Sequence, residues 1–162
     1  PGDLRRGAGA DRDVHAARDR RAVVVEAYHA ADARPLDTAV LTAALDTPEQ
    51  LAELGLVLQP ACRVLSSRFA VFSLWAAHNG HGDISAVDPN VAQDVLVARP
   101  YLEVELCLLP PGGAGFVAQL AAGRSLGEAM RSVAEPDLAN VLAALIGRKA
   151  IHSLTPVRGT NS

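Results

Sequence analysis

The sequence predicts an α+β protein, with a mainly helical N-terminal part followed by a small winged-helix-like domain of antiparallel strands and three helices. Three observations carry this. Residues 101–108 alternate apolar and polar side chains with the period of a half-buried strand. Beyond Gly112 come three apolar-periodic segments, each with its own start or stop signal. Residues 22–33 show helical spacing of Val24, Ala27, Tyr28 and Ala31.

Taken in order, residues 1–20 read as a frayed arm. Six Arg stand against four Asp over residues 1–21, a local net of +2, and Gly2, Gly7 and Gly9 loosen its first half. Pro1 stands where a Met would open a chain, as in a fragment or a processed product. Pro35 ends the helix of 22–33, because the residue before proline is pushed out of helical geometry. Asp37 caps a short helix to Leu45. Thr47-Pro-Glu-Gln50 opens another, with a hydroxyl cap and Pro in the first turn, and Gly55 closes it.

Strands are expected at Leu56–Leu58 and Arg63–Leu65, on either side of Pro60. Phe69, Phe72, Trp75 and Ala76 share a helical face within 68–78, and the Gly-containing segment 79–82 is a loop. Asp88-Pro-Asn90 turns the chain into strands 94–98 and 101–108. In the second strand Leu102, Val104, Leu106 and Leu108 face the core and Glu103 and Glu105 face water. Three helices follow. The first carries Phe116, Val117 and Leu120 and stops at Gly123, the second opens on the capping box Ser125-Leu-Gly-Glu128, and the third runs from the Asp137 cap to Gly147. Ile151 and Leu154 suggest a closing strand, and 156–162 is a tail. The expected division is a helical region with short strands over 21–91 and a winged-helix-like domain over 92–155.

Composition narrows the function classes. The chain has 162 residues, 49% of them hydrophobic, and a formal charge of −3. A general nucleic-acid binder needs a surplus of Lys and Arg to neutralise phosphate, and this chain has none. Residues 111–150 net only +1, and the expected recognition helix 125–133 offers Arg131, with Arg124 just before it, while Glu128 repels phosphate. DNA binding through Arg124 and Arg131 is therefore the alternative reading, as a transcriptional regulator. No apolar run approaches the roughly 18 residues of a membrane span, and a cytoplasmic protein is expected. Cys62 and Cys107 both lie in apolar runs without a C-x-x-C pair, so buried thiols are expected over a disulfide or a zinc site.

Two polar clusters invite a chemical reading. Glu26, Tyr28, His29 and Asp32 crowd one short helix and form a polar face suited to meeting another protein. His78 and His81 with Asp83 offer metal-ligand atoms around a loop, and with His29 they define a metal-dependent enzyme as a third reading. Ser66-Ser67 lacks a nucleophile-elbow context, and Gly112-Gly113-Ala-Gly115 lacks the Lys-Ser/Thr of a phosphate loop. If strand 94–98 lay at a sheet edge, its backbone could pair with an extended peptide.

The motifs Glu26-Ala-Tyr-His-Ala-Ala-Asp-Ala33, Ser67-Arg-Phe-Ala-Val71 with Leu74-Trp75, Val95-Leu-Val-Ala-Arg-Pro100, Leu102-Glu-Val-Glu105 and Leu126-Gly-Glu-Ala129 follow one another in a family's order. Over roughly residues 20–152 the chain resembles the HvfC/BufC proteins, often labelled as DNA-binding-domain proteins. It departs at Gln59-Pro60, where the family tends to show His-Pro, and at Ala70-Val71, where it shows Pro before Val. The family's N-terminal helical domain has no counterpart in residues 1–20.

The resemblance implies a non-catalytic partner of a multinuclear non-haem iron oxidase that modifies cysteines in ribosomally made peptides. The iron would belong to the oxidase, and no metal or cofactor is expected of this chain. The C-terminal part is similar to PqqD-type peptide-recognition domains. A precursor leader peptide would then lie along strand 94–98 or 101–108, against Val95, Val97, Arg99, Leu102, Val104 and Leu106. Glu26, Tyr28, His29 and Asp32 would face the oxidase.

Overall fold

The computed structural model describes residues 21–157 except Tyr28 and Glu135. The fold is α+β. Residues 21–27 and 29 are helical (α1), followed by α2 (Thr38–Leu45), α3 (Pro48–Leu51), β1 (Leu54–Leu58), β2 (Arg63–Ser67) and α4 (Val71–His78). Then come β3 (Gln93–Ala98), β4 (Glu105–Leu108), α5 (Gly113–Ala121), α6 (Leu126–Arg131), α7 (Leu138–Gly147) and β5 (Ile151–Pro156).

Two antiparallel sheets organise these elements. One has three strands in the order β2-β3-β4, and the other pairs β1 with β5. Both cross the boundary expected near residue 92. Val64 opposes Leu96 across one sheet, and Leu56 opposes Leu154 across the other. The expected order of strands and three helices over 92–155 is present, but its closing strand β5 finds its partner in β1, from the N-terminal half.

The three-stranded sheet is covered on both faces. Leu65, Val95, Val97 and Leu106 pack with Ala27 of α1 and Val71 of α4. Leu96 and Ala98 point the other way, into the main core with Phe116, Leu120, Val141 and Leu145. Phe116 and Leu96 are fully buried, and each adds about 2 kcal/mol by leaving water. A strand covered on both faces has no reason to alternate, which is why β3 reads Val-Leu-Val-Ala without a polar break.

Local signals decided the helix ends where the partners are near in sequence. Asp37 accepts from the Ala39 N–H at 2.9 Å and Asp137 from the Asn140 N–H at 3.2 Å. Ser125 and Glu128 complete the capping box in both directions, and Gly123 stands at φ +80° after α5.

Five expectations are corrected. Helix α1 gives way to a bend at Ala30, short of Ala33. Thr47 makes no side-chain cap to α3. Gly55 lies within β1, where a Cβ would sit 2.6 Å from Val157 Cγ2, so close strand packing and not a helix stop explains it. Strand 101–108 shrinks to Glu105–Leu108, because Tyr101 and Leu102 turn through left-handed backbone at φ 50° and 76° and stand exposed. The wet face expected there is absent from the middle of β4: Leu106 is buried on one side and Cys107 is half-buried on the other.

Candidate functional site

Two concave surfaces flank the three-stranded sheet. The first is a groove of about 470 Å³ between α4 and β4, lined by Phe72, Trp75, Ala76, His81, Val104, Glu105, Leu106 and Arg148. Its wall is helical because Phe72, Trp75 and Ala76 fall at i, i+3 and i+4. The Phe72 and Trp75 rings lie 5.7 Å apart at a tilt of 41°. Its opposite wall is β4, one of the two outer strands of the sheet.

Helix α4 begins at a position that cannot cap itself, since Ala70 has no side-chain acceptor. Gln93 at the start of β3 does the work from across the fold. Its Oε1 accepts the Phe72 and Ser73 N–H groups at 3.0 and 3.1 Å, and its Nε2 donates to Ser73 Oγ at 2.6 Å. The groove wall is thereby fastened to the sheet. At the other end Arg148 donates to Glu105 Oε2 at 2.7 Å. That hydrogen bond is the main cause holding the Arg148 guanidinium pKa above its ordinary value, against a smaller effect of burial.

The free edge of β4 follows from hydrogen-bond alternation. The Leu109 N–H donates to the Asp94 carbonyl at 2.8 Å, and the register pairs Cys107 with Leu96 and Glu105 with Ala98. Residues 105, 107 and 109 therefore bond to β3, and the N–H and C=O of Leu106 and Leu108 point outward. No strand among the described residues pairs with that outer side.

The second concavity, about 660 Å³, lies at the corner after β3 and is lined by residues 31–35, Gln59, Ala61, Arg99, Tyr101 and Leu102. Arg99 is buried and donates through Nη2 to the Ala30 carbonyl at 2.6 Å and to Asp32 Oδ1 at 2.8 Å. It terminates α1 from a distance in sequence that no local rule reaches.

The residues expected to take a peptide are thus divided. Val104 and Leu106 line the α4–β4 groove, while Arg99 and Leu102 line the other cavity. Val95 and Val97 are 1% and 0% exposed on the central strand, whose two edges are both taken by β2 and β4. Strand 94–98 has no edge to offer, and the expectation of pairing there is corrected. The Phe72/Trp75 face is legible in the sequence by its helical spacing, whereas nothing local marks Gln93 or Arg148.

Of the expected partner face, Glu26, His29 and Asp32 are exposed, and Tyr28 lies outside the described residues. Glu26 comes within 3.9 Å of Arg63, and Asp32 is held by Arg99. Around the 78–83 loop the polar groups cap local backbone: His78 Nδ1 meets the Leu74 carbonyl at 2.8 Å, and Asp83 accepts from the Ser85 N–H at 2.9 Å. Among the described residues no three His, Cys, Asp or Glu side chains converge into a metal-ligand set.

For the DNA alternative, Arg124 and Arg131 are exposed, and Arg124 lies 3.9 Å from Glu128. The start of α6, where a recognition helix would meet bases, is buried. The Gly127 N–H donates to the Ala52 carbonyl at 3.0 Å, and Ser125 bridges to Gly55. No described helix is long and apolar enough to cross a membrane. Compared with protein-family models, with curated proteins and with solved structures, the chain finds no match.

Proposed function

We propose that this protein is a non-catalytic adaptor that takes a precursor leader peptide as an added strand along β4 and docks it on a non-haem iron oxidase for cysteine modification. The observation that supports peptide capture is the outer edge of β4 beside an apolar groove. Leu106 and Leu108 offer outward backbone groups, and Phe72, Trp75 and Val104 offer a surface for alternate side chains. The Glu105–Arg148 ion pair at the groove supplies a polar mark that sets register.

The oxidase half of the proposal rests on the sequence resemblance. The exposed Glu26, His29 and Asp32 at the end of α1 are its docking face, on the side of the sheet that packs α1 and α4.

The test is recovery of the tagged chain from its own cell extract, with the co-purifying protein and its metal identified. An iron-containing oxidase that is lost from a Glu26→Ala, His29→Ala, Asp32→Ala triple variant supports the reading. Recovery of DNA without a protein partner overturns it.

A further inference from the structure

We propose, resting on the reading of β4 as a peptide-docking edge, that this edge selects strands carrying an acidic residue between two apolar ones. Arg148 reads the acidic side chain, and the α4–β4 groove reads its apolar neighbours.

Register fixes where each side chain of an added strand goes. In the antiparallel sense of the sheet, the peptide residues opposite Leu108 and Leu106 exchange backbone hydrogen bonds with them. Those two residues are separated by one, so their side chains stand on a single face. It is the face of Leu106, which packs with Phe72, Trp75 and Val104. One peptide side chain enters the groove beside Leu106. The other covers Leu108, an apolar side chain left 42% exposed. Both positions therefore call for apolar residues.

The residue between them falls opposite Cys107, whose own backbone groups are turned toward β3. Such a pair without hydrogen bonds brings its Cα atoms to about 4.5 Å, the closest approach across a ladder. Its side chain shares the Cys107 face, and Arg148 stands there. The Arg148 Nη1 donates to Glu105 Oε2 at 2.7 Å, and the Cys107 thiol lies within hydrogen-bond reach of the same guanidinium. Five N–H groups serve these two neighbours, and the side chain is 39% exposed. The fork keeps donors for a second carboxylate, which complements it in charge. A lysine at the same peptide position meets like charge.

The experiment is an NMR titration of the isotope-labelled full chain with N-acetyl-Thr-Leu-Glu-Leu-Thr-amide. Companion peptides replace its Glu by Gln or Lys, or both Leu by Ala. The parent peptide is expected to shift the backbone signals of 105–108, with the Gln peptide about tenfold weaker. The Lys peptide should be weaker still, and the Ala peptide should lose binding. Arg148→Gln is expected to bind the Glu and Gln peptides equally, and its retained binding of the Gln peptide shows that it is folded. Equal affinity of the native chain for the Glu and Gln peptides overturns the acidic preference and leaves strand addition standing. A Glu preference that survives in Arg148→Gln removes Arg148 as its reader. Absence of shifts at 105–108 with every peptide overturns the docking edge itself, and the selection with it.

Discussion

Gln93 and Ser73 hold each other twice. The Gln93 Oε1 accepts the Ser73 N–H at 3.1 Å while its Nε2 donates to the Ser73 hydroxyl at 2.6 Å. With the Phe72 N–H at 3.0 Å on the same oxygen, one amide on β3 does for α4 what a local cap does for most helices. The groove between α4 and β4 depends on this junction, because the helix bearing Phe72 and Trp75 has no cap of its own.

Gln93→Ala is expected to destabilise the fold by about 1–2 kcal/mol, the loss of a helix cap with two N–H groups left open. Urea unfolding measures it. Gln93→Glu, which keeps the acceptor, should retain more of the stability than Gln93→Ala. Equal losses would show that the amide does not serve as the cap.

Proline separates the two sides of β4. Leu108→Pro removes an outward N–H and keeps the ladder to β3, so folding survives and strand addition by a peptide fails. Cys107→Pro removes a ladder bond to β3 and should destabilise the fold more than Leu108→Pro. Circular dichroism with peptide titration distinguishes them, and unchanged peptide affinity in Leu108→Pro would remove β4 as the docking edge.

Gly127→Ala tests the packing of α6. The added Cβ would lie 2.8 Å from the Ala52 carbonyl oxygen, a backbone atom with little room to yield. A loss of about 1–3 kcal/mol is expected. Arg131→Ala, on the exposed end of the same helix, should change stability by less than about 0.5 kcal/mol.

The Cys62 thiol sits in the main core, and burial pushes its pKa up from 9.0 to about 12, partly opposed by Arg63. A thiol with a raised folded-state pKa contributes its full stability below pH 9.0 and loses it as pH rises toward about 12. Stability should therefore fall by about 1 kcal/mol per pH unit in that window, and Cys62→Ala should flatten this part of the curve. Iodoacetamide on the folded protein should label the more accessible Cys107 well before Cys62.

The helices after Gly112 were legible because their signals are local. Ser125 and Glu128 are three residues apart, as are Asp137 and Asn140, and the apolar stripe of α7 repeats within the helix itself. Strand 101–108 misled because apolar alternation does not record backbone sign: Leu102 fits the pattern and yet turns left-handed and stands in water. Val95 and Val97 misled because a buried strand and an accessible apolar edge are written with the same residues.

By itself the sequence determined the α+β class, the succession of strands and helices, the caps at Asp37, Ser125 and Asp137, and the shortage of basic charge. Each depends on neighbours within a few residues or on composition alone. Only the tertiary structure decided that β3 is central and β4 an edge, that Gln93 caps α4, and that Arg99 ends α1 on Ala30 and Asp32. Those contacts join residues twenty to seventy positions apart. Chain closure over such distances is set by how the whole core packs, and no short window of sequence encodes it.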